Sequence, residues 1–179
     1  MSRAIVRGTL PEGVSSFELT RHVHDRGSLT EIYREGWFPF GAAVQWNLVT
    51  SPAGVLRGIH VHLRSAEYYA LVAGRALVGY RDLRPGSPTL GAAALVEIGG
   101  SEPVALVAPC GLAHGVYSTT PITLLVGTTS VRDPAAEAGC HWRDPDLAIP
   151  WPFETAIVSA QDAELGRLRD LLALVPSFR

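Results

Sequence analysis

Cysteine is scarce in this chain, and neither sign of charge dominates it. Cys110 and Cys140 are the only thiols in 179 residues. That is too few for a disulfide framework, so reduced cysteines in a cytoplasmic protein are expected. Lysine plus arginine number 15 and aspartate plus glutamate 17, a formal net charge of −2. That balance gives no electrostatic case for binding nucleic acid or an anionic membrane. Long apolar runs are missing as well. No stretch spans a bilayer, and the N-terminal residues MSRAIVRGTLPEG lack the continuous apolar core of a signal peptide. Low-complexity segments, linkers and repeats of fixed period are also absent. The expectation is a single globular domain over residues 1–179, long enough to bury a sizeable core without staples.

What the chain does have is many short apolar or alternating runs. Residues 4–10 end at the turn cluster Pro11, Glu12 and Gly13, residues 17–24 alternate, and residues 29–34 read as extended. Residues 43–50, AVQWNLVT, alternate with Gln45 and Asn47 on one face. Residues 68–73 and 75–83 are expected to pair across Gly74. Further runs at 92–98, 104–107, 114–118 and 122–130 are each bounded by Gly, Pro or Ser. Strands this short and this frequent predict an all-β sandwich or barrel. The tail differs: leucines at 165, 168, 171, 172 and 174 predict a short C-terminal helix over 159–175, closed by Pro176.

Residues 54–74, GVLRGIHVHLRSAEYYALVAG, hold the densest chemistry, with the spacing Gly-x5-His-x-His-x4-Glu-x6-Gly. On a strand, His60 and His62 point to the same face, and the following run carries Glu67 back alongside them. His114 follows in PCGLAHG. The two motifs look like those of the cupin barrels, which implies a jelly-roll fold with its barrel over 43–132. Three imidazoles and a carboxylate, His60, His62, Glu67 and His114, make a first shell for iron, manganese, nickel or zinc, and ligand type does not choose among these. The plainer reading keeps each histidine as a satisfied barrel polar residue and pairs Glu67 with Arg64 or Arg75 on the surface.

A wider set of motifs occurs in order over most of the chain: Asp25-Arg26-Gly27 with Glu31, Gln45 and Asn47, then GVLRGIH, DLRPGSPTLG, PCGLAHG, DPDLAIPWP and SAQD. On these the chain resembles the dTDP-4-dehydrorhamnose 3,5-epimerase family, itself built on a cupin jelly roll. The resemblance implies a homodimer that exchanges N-terminal strands within residues 1–50. It also implies nucleoside-diphosphate contacts from Arg26, Glu31, Gln45, Asn47 and Arg57, some of them across the subunit boundary. Guanidinium groups suit phosphate. Arg57 and His60 have opposite parity, so a distortion at Gly58 is needed for both to face one site. Without the resemblance, Arg26 and Glu31 read as a surface ion pair, and Gln45 and Asn47 as edge-strand polar residues.

The family removes a proton beside a C4 ketone with a His–Asp dyad, and those positions match His60 and Asp162. Asp162 also fits a helix cap opened by Ser159. The family's tyrosine acid falls near Val126, and its enolate-stabilising lysine falls at Glu67. His62 stands where a glutamine or another non-ligand is usual. Three readings follow. One is an epimerase-like isomerase that enolises a nucleotide-linked 4-keto-6-deoxy sugar with an altered outcome, His60 acting either as base or as metal ligand. The second is a metal-dependent cupin oxygenase, lyase or cyclase acting on a small natural product. The third is a non-catalytic nucleotide-sugar-binding module.

Overall fold

The computed structural model describes residues 4–99 and 103–174. Strands β1 (Ile5–Gly8), β2 (Ser15–Glu18), β3 (Arg21–His24) and β4 (Gly27–Thr30) precede β5 (Gln45–Ser51), β6 (Leu56–His62), β7 (Glu67–Ala73) and β8 (Arg75–Asp82). Strands β9 (Ala93–Gly99), β10 (Val104–Ala108), β11 (Leu112–Ser118), β12 (Ile122–Thr128) and the short β13 (Glu137–Gly139) follow. Among the described residues they form two antiparallel layers, β1-β9-β8-β11-β6-β13 and β2-β10-β7-β12-β5, with β3 and β4 as a separate hairpin. The fold is the all-β jelly roll that the strand spacing and cupin motifs predict.

Alternation along each strand decides which layer a side chain serves. On β7, Tyr69 and Leu71 enter the space between the sheets, where they meet Val78 and Tyr80 of β8 and Leu124 and Val126 of β12. Tyr68 and Ala70 point the other way, under a cover that includes Leu19 and Phe38. The outer face of the other sheet offers Leu56, Ile59 and Val61, and residues 140–171 cover it with Cys140, Trp142, Leu147, Ile149, Leu168 and Leu171. Chain on both flanks of the barrel thus covers part of each outer face.

Four local expectations are corrected. Strands β7 and β8 do not pair across Gly74: β7 bonds to β10 and β12, and β8 to β9 and β11. At Gly74 (φ +89) the chain steps from one sheet to the other, and a Cβ there would lie 2.1 Å from the Pro121 carbonyl oxygen. The run 17–24 divides into β2 and β3, because Leu19 leaves the strand to bury itself under the five-stranded sheet. Of the extended run 29–34, only Leu29 and Thr30 belong to a strand, the end of β4. The C-terminal helix is broken into α1 (Ala160–Ala163) and α2 (Leu168–Leu174). Gly166 lies in the break, where its carbonyl accepts from the His141 amide, and the buried Asp144 carboxylate takes the Leu168 amide at 2.9 Å. A straight helix could not satisfy these contacts while burying both Leu168 and Leu171. Val175 and Pro176 lie outside the described residues. Strands β1, β2 and β13, which lie outside residues 43–132, belong to the same two sheets. Among the described residues, no helix is long and apolar enough to cross a membrane.

Candidate active site

Between the two sheets lies a cavity of about 540 Å³ walled by β5, β6, β7, β11 and β12 and by residues 130–137. Arg57, His60 and His62 of β6 all line it. A regular strand would not allow this. The register of β6 on β11 runs His114 to His60 and then Gly115 to Gly58, leaving Ile59 as an extra residue that packs on the outer face. The bulge reverses the parity between Arg57 and His60, which is the distortion required at Gly58. Gly58 has φ +125, and a Cβ on it would sit 2.7 Å from the His114 carbonyl oxygen, so glycine is required there. The Gly58–Ile59 peptide is cis.

His60 is held by the start of α1. Its Nε2 lies 2.7 Å from Asp162 Oδ1, while the second carboxylate oxygen of Asp162 accepts the Gly58 amide at 3.3 Å. The Asp162 amide in turn donates to Ser159 Oγ at 3.0 Å. The helix cap and the dyad are therefore one arrangement: capping fixes the backbone of a residue whose carboxylate orients the imidazole. Asp162 is buried, and the His60 side chain remains 37% exposed. With its Nε2–H donated to Asp162, the ring keeps a lone pair on Nδ1, as a general base requires.

One strand turn further on, a second group forms. Glu67 Oε2 lies 3.0 Å from His114 Nε2, and Glu67 Oε1 lies 3.4 Å from His62 Nε2. The Tyr69 hydroxyl donates to Glu67 Oε2. Burial alone would raise the Glu67 carboxyl. The charges of His114 and His62, with hydrogen bonds from His114 and Tyr69, instead bring it down to about 2. Burial likewise opposes charge on His114, but Glu67 outweighs it and raises that imidazole. For His62 burial wins, and its pKa is lowered. Glu67 thus does not pair with Arg64 or Arg75 on the surface.

Of the four metal ligands expected from the sequence, three converge: one donor atom each from His62, Glu67 and His114 all lie within 4.8 Å of one another. His60 is not in this group, and its Nε2 lies against Asp162 instead.

Of the five positions expected to hold nucleotide, Gln45, Asn47 and Arg57 line the cavity. Gln45 donates to Asn47 at 3.2 Å, and Arg57 is steadied by Ser51 Oγ at 3.0 Å. Arg26 and Glu31 do not line the cavity. Arg26 sits at the exposed turn between β3 and β4, and Glu31 pairs with Arg34 at 2.6 Å rather than with Arg26. Within one chain, then, two of the five positions stand apart from the site.

Residues 9–170 match the sequence profile of the dTDP-4-dehydrorhamnose 3,5-epimerase family. The chain belongs to that family. This places it among the epimerase-type isomerases of nucleotide-sugar metabolism. It is 36% identical over 141 residues to a dTDP-4-dehydrorhamnose 3-epimerase from Streptomyces niveus, covering 75% of this chain and 68% of the relative. It is 32% identical over 180 residues to a dTDP-4-dehydro-6-deoxyglucose 3-epimerase from Streptomyces bikiniensis, covering 94% and 92%. Among solved structures, a 3'-monoepimerase from Streptomyces bikiniensis in complex with dTDP-quinovose superposes with a TM-score of 0.82 at 31% identity, covering 92% of this chain and 88% of that one.

The two positions at which the resemblance places its tyrosine acid and its lysine both face the cavity. Val126, where the tyrosine acid is expected, lines it, and so does Glu67, where the lysine is expected. The 15 residues that are lysine or arginine are all arginines. Of Tyr69, Tyr80 and Tyr117, only Tyr69 lines the cavity, on β7 directly opposite Val126 of β12. Tyr117 stacks on Phe153 at 3.8 Å in the outer-face cluster, and Tyr80 is buried in the core between the sheets. The sequence reading missed Arg132 and Glu137, which pair at 2.9 Å on the cavity wall, with Glu137 Oε1 also 4.0 Å from His62 Nδ1. The opposite charges flanking Pro134 were the available signal.

Proposed function

We propose that this protein enolises a dTDP-type nucleotide-linked 4-keto-6-deoxy sugar, with His60 as the base and Asp162 as its positioning partner. The observation that carries the reading is the 2.7 Å His60–Asp162 contact on the wall of a cavity large enough for a hexose and a diphosphate. His60 Nδ1 takes the proton from the carbon beside the ketone; the C–H electron pair becomes the new C=C bond, and the carbonyl pair moves to oxygen. Arg57, Gln45 and Asn47 hold the nucleoside diphosphate. The outcome departs from double epimerisation, because valine at 126 cannot return a proton to the opposite face at the second carbon. A single epimerisation or a keto tautomerisation fits the groups present, and the relatives named as 3-epimerases support the first.

The working unit is a cytoplasmic homodimer. Supporting it are β5, an edge strand with Leu48 67% exposed, and the β3–β4 hairpin, which among the described residues forms a two-stranded sheet of its own and exposes Val23 and Leu29. A second copy docked there would cover these residues and bring Arg26 and Glu31 to a neighbouring cavity.

The test is incubation with dTDP-4-keto-6-deoxyglucose in deuterated water, followed by NMR. Deuterium is expected at C3 with little at C5. Absence of exchange at both carbons would sink the enolising reading, and equal exchange at both would sink the altered outcome. Metal-dependent chemistry has one observation in its favour, the convergence of His62, Glu67 and His114 beside the dyad.

A further inference from the structure

Enolisation leaves negative charge on the sugar's oxygen, and this chain has no lysine to carry it. It places a carboxylate, Glu67, where that cation is expected, which by itself would repel an enolate. We propose that His62, Glu67 and His114 bind one divalent transition-metal ion, and that the ion takes over the missing lysine's electrostatic role. The role rests on the enolising reading above; the binding does not.

The donor geometry fits. Metal bonds to imidazole nitrogen and carboxylate oxygen are about 2.0–2.2 Å, so two ligands on one ion stand about 3–3.5 Å apart. The Glu67 oxygens lie 3.0 Å from His114 Nε2 and 3.4 Å from His62 Nε2. The far sides of these ligands are also held, as ligating groups need. His114 Nδ1 lies 3.2 Å from the Leu112 carbonyl oxygen, which holds a proton there when an ion displaces the one that Nε2 donates to Glu67. His62 Nδ1 faces Glu137 at 4.0 Å, and Tyr69 braces Glu67. A simple ion pair accounts for Glu67 and His114, but the second Glu67 oxygen faces His62 as well, so two imidazoles converge on one carboxylate. Nearby, Tyr80 is the β8 partner of His114, and its buried hydroxyl has no hydrogen-bond partner, an orphan of the kind that marks room for a further polar species.

Charge supports the same assignment. A divalent ion with the Glu67 carboxylate leaves one net positive charge, the charge a lysine would have brought. Three protein ligands leave coordination positions open, as a Lewis-acid site needs. Because His60 is bonded to Asp162 and stands outside the cluster, base and ion share no nitrogen. The choice between His60 as base and His60 as ligand is thereby removed.

The test uses the untagged full chain, stripped with chelator and dialysed against Zn²⁺ or Co²⁺. Elemental analysis should find one ion per chain, with ligand-field absorption in the Co²⁺ form. Affinity should fall at least tenfold in His62→Gln and in Glu67→Gln but hold in Asp162→Asn. A wild-type chain that is folded by circular dichroism yet takes up no ion overturns the site, as does uptake indifferent to both ligand variants. For the role, C3 deuterium exchange should be at least tenfold faster with the ion than without; equal rates overturn it. If the ion binds and exchange is absent in both forms, the site stands and the enolising reading fails.

Discussion

Two histidine–carboxylate groups share one cavity, and their difference lies in burial rather than residue type. His60 and Asp162 form a pair whose imidazole is over one third exposed, with the carboxylate also engaged by a backbone amide. His62, Glu67 and His114 form a group buried from solvent on most sides, where two imidazoles converge on one carboxylate. An accessible imidazole oriented by a single carboxylate can exchange protons with a substrate. A buried carboxylate between imidazoles fixes charge in place, because burial makes each isolated charge unfavourable and each pairing strong. The strand geometry produces this contrast from neighbouring residues: His60 and His62 share a face of β6, yet one meets α1 and the other meets β7 across the barrel.

The comparison can be broken at either group. The largest effect is expected for His60→Ala, which should reduce C3 exchange by about 10²–10⁴-fold, the usual contribution of a positioned general base, while leaving metal content and melting temperature near wild type. Loss of metal along with exchange would show that the two groups are not separate. Next comes Glu67→Gln. Breaking a buried charge pair from one side costs about 3–5 kcal/mol, so the denaturant midpoint should drop clearly, where Asp162→Asn moves it less. Gly58→Ala tests the bulge that both groups depend on. With positive φ and backbone atoms within 3 Å of the added Cβ, it should lose about 1–3 kcal/mol and much of the exchange activity; an unchanged midpoint would refute the requirement for glycine.

The smallest effect is a pH dependence. The Glu67 carboxyl is lowered in the folded state, so its stabilisation is full above its unfolded value of 4.5 and fades as pH falls toward about 2. His114 has the opposite sign: its raised pKa stabilises below 6.5, and the gain fades as pH climbs through the folded value. Thermal melts of the metal-free protein should therefore decline below about pH 4.5, and Glu67→Gln should flatten that decline. Part of it will persist, because the buried Asp82 carboxyl is also lowered: Arg84, Ser87 and Thr89 hydrogen bonds outweigh its burial. A decline of the same steepness in the variant would show that Glu67 is not the group responsible.

Much was legible before folding. Period-two alternation between Gly, Pro and Ser clusters determines an all-β barrel, because a strand must present one face to a core. The i, i+2 spacing of His60 and His62 determines that they share a face, and the capping pattern at Ser159 determines the local geometry of Asp162. Tertiary structure decided what these residues meet. No local rule reveals that β7 and β8 belong to different sheets, since both sides of Gly74 are equally apolar; the layer is chosen by non-local partners on β9 to β12. The split of the last helix depends on Asp144 and on burial against a sheet that precedes it by a hundred residues in the chain. The separation of His60 from His62, Glu67 and His114 is likewise non-local, because Asp162 reaches His60 from 102 positions away. Sequence supplied four candidate ligands on one barrel wall, and only the approach of α1 assigned one of them to a carboxylate and left three to face each other.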